Sequence, residues 1–151
     1  MKLLDKELKI PRLVVAGATS GVGKTSITSA IIYGIKKRGY SVQAFKVGPD
    51  YIDPSYLSAI SGNDTRNLDV WLMGENELVQ SFVKNSASDI SIIEGVMGYY
   101  DGFGGKTNYA STHHVASLVK SPTILVLDAS KAARSIAATA LGFAKFHRNS
   151  R

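Results

Sequence analysis

The sequence predicts an α/β fold, a mainly parallel sheet with helices on both faces. Three observations predict it. Short, continuously apolar runs recur along the chain, as buried parallel strands require. Stretches with a helical apolar face separate them. The chemically distinctive segments fall where an apolar run ends, and open α/β sheets bind ligands at the carboxyl ends of their strands. Alternation of this kind implies right-handed crossovers between parallel strands.

Leu13, Val14, Val15 and Ala16 form the first strand pattern. From 24 to 38 the apolar positions Ile27, Ile31 and Ile35 recur every four residues, one face of a helix, and Gly39 ends it. Residues 42–47 read as the second strand. Asp53 and Pro54 open a short helix, as cap and first-turn proline, which Gly62 stops. A helix is expected over 75–84, a third strand over 90–93, a helix over 112–119 and a fourth strand over 122–127. The alanine-rich stretch 129–146 predicts the last helix. Residues 1–11 precede the first strand as an extension, and 12–151 form one domain. A doubly wound domain ordinarily continues with at least one further strand, so the sheet is expected to be incomplete at the C-terminus and the chain to be a fragment.

Composition narrows the function. The charged and apolar fractions, 20% and 44%, are those of a globular domain rather than a disordered one. No apolar run reaches the roughly 18–20 residues of a membrane span, and the mixed charges of Lys2, Asp5, Lys6 and Glu7 do not make a signal peptide. Without cysteine there is no disulfide, no thiolate metal site and no cysteine nucleophile. A cytoplasmic protein without membrane association is expected. The net charge is +6, but the positive residues are scattered. Their one run, Lys36, Lys37 and Arg38, falls at a helix end, where it complements the helix dipole. Nucleic acid is therefore not an expected partner, whereas a polyanionic small substrate suits a basic surface.

The run Ala18, Thr19, Ser20, Gly21, Val22, Gly23, Lys24, Thr25 lies between the first strand and the first helix. It matches the phosphate-binding P-loop, with Ala18 at the usual first glycine and Gly17 just before it. Gly21 and Gly23 let backbone N–H groups curl around phosphate oxygens, and the helix N-terminus adds its partial positive charge. Lys24 reaches the β- and γ-phosphates, and Thr25 offers a hydroxyl to Mg²⁺. With Thr19, Ser20, Val22 and Ser26 these residues make up the expected ATP site of a P-loop NTPase-type domain. Glu94 directly follows the third strand, where a carboxylate can face the magnesium or activate a nucleophile. Asp50 follows the second strand, and the turn at Gly48 and Pro49 aims it and Lys46 at one edge. Asp53 reads equally as a helix N-cap or a site carboxylate, and Asp101 as a turn aspartate or a site residue. His113 and His114 point about 100° apart on a helix. They are expected as polar residues of a helix start, not a metal pair.

Together the P-loop, the block Lys46 to Pro54, the stretch Asn67, Leu68, Asp69, the block Glu94 to Gly102, and Asp128, Ala129, Ser130 followed by Arg134 and Ser135 resemble the cobyrinate a,c-diamide synthase family. The resemblance spans residues 12 to about 145, and an archaeal relative acting on Ni-sirohydrochlorin shares the same blocks. It implies that ATP phosphorylates a peripheral acetate of a corrin-type macrocycle, and that ammonia then displaces phosphate to give the amide. It assigns Thr25, Asp50 and Glu94 to magnesium, and Lys24 and Lys46 to phosphate charge. It places Asp53 and Asp101 near the activated carboxylate or the incoming ammonia, with ATP and Mg²⁺ as cofactors. Full-length members add a C-terminal glutamine amidotransferase domain with a cysteine nucleophile. This sequence has no such domain, so its ammonia is expected from elsewhere and the chain alone is not expected to release glutamate from glutamine. A homodimer is a further expectation. Three rivals stand beside this reading. A partition-type ATPase shares the P-loop but carries a second lysine where Thr19 stands. Another P-loop carboxylate ligase, such as dethiobiotin synthetase or cobyric acid synthase, differs around Asp50 and Asp101. The third is a non-catalytic nucleotide-binding remnant.

Overall fold

A computed structural model describes residues 9–147. Five strands form one sheet: β1 (Arg12–Gly17), β2 (Val42–Val47), β3 (Arg66–Leu68), β4 (Ile90–Glu94) and β5 (Thr123–Val126). They run in the order β3-β2-β4-β1-β5, and every pairing is parallel. The helices are α1 (Lys24–Lys37), α2 (Asp53–Ser61), α3 (Val70–Met73), α4 (Glu75–Asn85), α5 (Thr112–Leu118) and α6 (Ser135–Phe146). The expected α/β class and parallel sheet are observed. Part of the extension assigned to 1–11, and most of the polar tail after Phe146, lie outside the described residues.

Strand parity builds the two layers. On one face Val14, Ala16, Phe45, Val47, Leu68 and Ile93 pack against Val70 of α3, Leu78 and Phe82 of α4, and Val115 of α5. On the other, Val15, Ala44 and Ile92 pack against Ile32 of α1 and Leu57 of α2. Alternate side chains of a strand point to opposite faces, so Lys46, two on from Ala44, and Glu94, two on from Ile92, fall on the α1 and α2 side. Lys46 and Glu94 are also register partners. The packing of α1 differs from the expected stripe. Its buried line runs through Lys24, Thr28 and Ile32, while Ile27 is 41% exposed and Ile31 and Ile35 only flank the core.

Three local readings need correction. β3 and α3 were not expected as elements. β3 has three residues and α3 four, too short to show a period, and their apolar members are fixed by tertiary contact. The last helix starts at Ser135 rather than 129. The Asp128 carboxylate accepts the Ser130 N–H at 2.8 Å, a side-chain-to-backbone bond that favours a turn over helix. Asp53 is not a cap: it is the first residue of α2, behind Ile52. Asp50 instead accepts the N–H groups of Ile52 and Asp53, at 2.9 and 3.2 Å.

His113 departs from expectation too. It is 4% exposed and packs against the rings of Tyr99, Tyr100 and His147. Burial, with the charges of His147 and His114 adding to it, pulls its pKa down to about 4 from 6.5. The unfolded chain then binds a proton between pH 6.5 and 4 that the folded chain refuses. The stability His113 contributes is complete above pH 6.5 and is lost as pH falls toward 4. Urea unfolding at pH 7.5 and 4.5 should show an acid loss of up to about 3 kcal/mol from this group. In His113→Phe that part of the loss should disappear; an identical acid loss in the variant contradicts the assignment.

Candidate nucleotide-binding site

The site is built where β1, β2 and β4 end. The β1–α1 turn carries Ala18 to Gly23, and Gly23 takes φ 92° immediately before the helix, a left-handed conformation open to glycine without a Cβ penalty. Lys24 then begins α1. Its ammonium donates to the Met97 carbonyl at 2.9 Å and the Thr19 carbonyl at 3.3 Å. Burial, then the nearby Lys46 charge, lower its pKa, against the opposing pull of Glu94, Asp53 and Asp101. The Thr19 hydroxyl donates to the Ser20 carbonyl, while Ser20, Gly21 and Ser26 are exposed and Val22 is half-buried. The eight expected ATP-site residues thus form one continuous turn and helix start.

The β4–α5 loop packs against this turn. Gly98 makes the approach: a Cβ there would collide with the Asp101 carboxylate and lie 2.7 Å from the Ala18 carbonyl. Thr112 holds the loop by accepting the Val96 N–H and donating to the Val96 carbonyl. Asp101 accepts the Gly98 N–H at 2.9 Å, so the turn role is real. The same residue lines a cavity of about 320 Å³ with Ala18, Tyr100, Gly142, Phe143 and Phe146.

Glu94 is the hub. Its side chain is 0% exposed. One oxygen, Oε1, accepts the Thr25 hydroxyl at 2.6 Å and the Lys46 ammonium at 3.0 Å. Lys46, 3% exposed, also donates to Asp53 at 2.6 Å and to the Gly95 carbonyl at 3.3 Å, and lies 3.7 Å from Asp50. Burial pulls the Lys46 pKa down, but its bonds to Asp53 and Glu94 outweigh this and hold it above 10.5. For Asp50, burial is outweighed by the Ile52 and Asp53 N–H groups and by Lys46, and its pKa lies below the usual carboxylate value. Asn67 pins the Asp50 backbone by donating to its carbonyl at 2.7 Å.

Whether these residues suit magnesium is decided by Glu94. Its second oxygen, Oε2, is buried with no hydrogen-bond partner, and a buried unpaired carboxylate oxygen is costly. It belongs to the carboxylate that binds the Thr25 hydroxyl. Magnesium is commonly held by one or two carboxylates with substrate phosphates and waters, so Thr25 and Glu94 fit. Asp50 fits less directly, since one of its oxygens is committed to backbone N–H groups and the other faces Lys46.

The expected residues Thr25, Lys46, Asp50, Asp53 and Glu94 therefore converge through hydrogen bonds and ion pairs, and Lys24 lies within reach of the charges of Lys46, Asp53 and Glu94. His113 and His114 stand apart. His114 Nε2 lies 3.2 Å from Glu75, and its backbone N–H is capped by Ser111. No cluster of three or more metal-ligating His, Cys, Asp or Glu occurs among the described residues. The Met97 carbonyl and Thr112 were not anticipated. A carbonyl has no side-chain signal in a sequence, and Thr112 acts on backbone brought near only by folding.

The fold and this turn define a P-loop nucleotide-binding α/β domain. Residues 13–150 match the CobQ/CobB/MinD/ParA nucleotide binding domain model, and the chain belongs to that family. It is 48% identical over 135 residues to a cobyrinate a,c-diamide synthase of Synechococcus, covering 89% of this chain and 30% of the relative. It is 47% identical over 137 residues to a Listeria innocua protein of the same name, covering 89% and 30%. A hydrogenobyrinate a,c-diamide synthase of Thermobifida fusca is 45% identical over 141 residues, covering 91% and 30%. The chain thus spans about 30% of the length of these relatives. A crystal structure of a DUF1611 family protein from Anabaena variabilis superposes with a TM-score of 0.50 at 18% identity, over 82% of this chain and 34% of that one, a likeness of fold alone. No helix among the described residues is long and apolar enough to cross a membrane.

Removing Lys46 tests the hub. Lys46→Met should cost about 3–5 kcal/mol, because it leaves Glu94 buried without its cation. Adding Glu94→Gln should recover at least about 1 kcal/mol of that in urea unfolding. Additive losses in the double variant would mean the two groups are not energetically coupled.

Proposed function

We propose that the chain is the ATP-binding part of an a,c-diamide synthase that amidates peripheral acetates of a corrin-type macrocycle. The observation that carries this reading is the shared Glu94 oxygen, which ties the P-loop residue Thr25 to Lys46 and, through it, to Asp53. A phosphate site and a carboxylate–lysine site are thereby parts of one network. The names of the relatives, and the basic character of the chain (net charge +6), support a polycarboxylate substrate. Thr19, where partition-type ATPases carry a lysine, speaks against the switch class.

The chemistry follows from these placements. Lys24 and the backbone N–H groups of the P-loop hold the β- and γ-phosphates in line with the substrate acetate. A carboxylate oxygen of the substrate attacks the γ-phosphorus and ADP leaves, giving an acyl phosphate. Ammonia then attacks the acyl carbon, phosphate departs, and the nitrogen loses a proton. Lys46 offsets the negative charge gathered there, as preorganised charge does in such transfers. Asp53, more open than Lys46 or Glu94, would accept the ammonia proton, and Asp101 would orient the acetate. Thr25 and Glu94 would hold magnesium, with Asp50 in support, and the ion would neutralise phosphate oxygens during transfer. In the full-length enzyme the ammonia would come from a glutamine amidotransferase domain, with cytoplasmic location and a homodimer as further parts of this reading.

ADP release, measured with ammonium present and with or without cobyrinic acid, tests the assignment. We expect release to require cobyrinic acid, and Asp53→Asn to lower it at least about 100-fold while MgATP affinity stays within about twofold. Hydrolysis indifferent to cobyrinic acid but stimulated by DNA would instead make the chain a switch ATPase.

A further inference from the structure

The carboxyl edge of the sheet carries a second feature that the phosphate chemistry does not use. Trp71, 48% exposed, and Phe103, 64% exposed, meet edge to face with centroids 4.9 Å apart. They come from segments on opposite flanks of β2: Trp71 follows β3, and Phe103 follows β4. Neither rides on loose backbone. Asp69 accepts the N–H groups of Trp71 and Leu72, and the Phe103 N–H donates to the Tyr109 carbonyl at 2.7 Å. Leu72, next in sequence to Trp71, is 73% exposed. Aromatic side chains held in place yet left in water stabilise the fold little, and exposed apolar patches of this kind mark contact sites.

We infer that the Trp71–Phe103 pair is a stacking surface for the flat apolar face of the macrocyclic substrate. The inference rests on the functional reading above and adds the residues that recognise the ring rather than its reacting acetate. Two observations favour this occupant. The pair shares the sheet edge with Lys46 and Asp53, and Phe103 belongs to the same loop as Met97 and Asp101. Lys106, exposed three residues beyond Phe103, gives the same loop a cation, which complements acidic substituents at a ring's perimeter.

Trp71 is the only tryptophan of the chain, so its fluorescence reports on this surface directly. Cobyrinic acid titrated into the chain with MgATP should quench it saturably, whereas citrate, a polycarboxylate without a ring, should not. Phe103→Ala should weaken cobyrinic acid binding about tenfold and leave MgATP affinity unchanged. Cobyrinic acid that binds by calorimetry with Trp71 emission and the Phe103→Ala affinity both unmoved would overturn the stacking surface and leave the functional reading intact. Absence of cobyrinic acid binding by either method would remove the functional reading and this one with it. Equal quenching by citrate would show recognition of acid rather than ring. A wild-type dimer that Phe103→Ala dissociates, with cobyrinic acid binding unchanged, would assign the surface to a second copy of the chain.

Discussion

A single buried carboxylate oxygen organises this domain. Glu94 Oε1 accepts one hydrogen bond from the Thr25 hydroxyl and another from the Lys46 ammonium, in a place where its side chain has no exposure to water. An ion removed from solvent persists only if its charge and lone pairs are met. Lys46 supplies the charge. Because Lys46 also binds Asp53, the arrangement joins three consecutive pieces of the carboxyl edge of the sheet, the P-loop helix, the end of β2 and the start of α2. The sheet makes this possible: Lys46 and Glu94 are register partners on adjacent parallel strands, and their parity turns both toward α1.

The remaining geometry serves that oxygen. Asp50 stays ionised through two backbone N–H groups and Lys46, and so fixes the turn that delivers Asp53. Gly98 and Thr112 bring the β4–α5 loop against the P-loop, which lets the Met97 carbonyl receive Lys24. Met97 itself has φ 50°, an uncommon conformation for a side chain other than glycine. Strain of this sort collects at functional sites. Lys24 is held by the Met97 and Thr19 carbonyls, partners that a nucleotide phosphate would replace on the function proposed above.

Much of this is legible in the sequence. The P-loop, the strand-end positions of Glu94 and Lys46, and the alternation that makes a parallel sheet all rest on local pattern, which a sequence displays. What was hidden depends on distance in space. Asp53 followed by proline reads equally as a cap or a site carboxylate from sequence, and the approach of Lys46 decides between the two. The burial of His113 arises from rings supplied by the β4–α5 loop and by the chain after α6, so no local period announces it. β3 owes its existence to pairing with β2. The turn before α6 is hidden because alanine content suggests helix more strongly than one aspartate suggests its interruption.

On the function proposed above, Glu94 with Thr25 forms the magnesium end of the phosphate site. ATP affinity measured by calorimetry across a magnesium titration tests it most directly, in the wild-type chain and in Glu94→Gln. The wild-type affinity should rise as magnesium is added, and that of the folded variant should barely respond. An equal magnesium response in the two proteins would mean that Glu94 does not hold the ion.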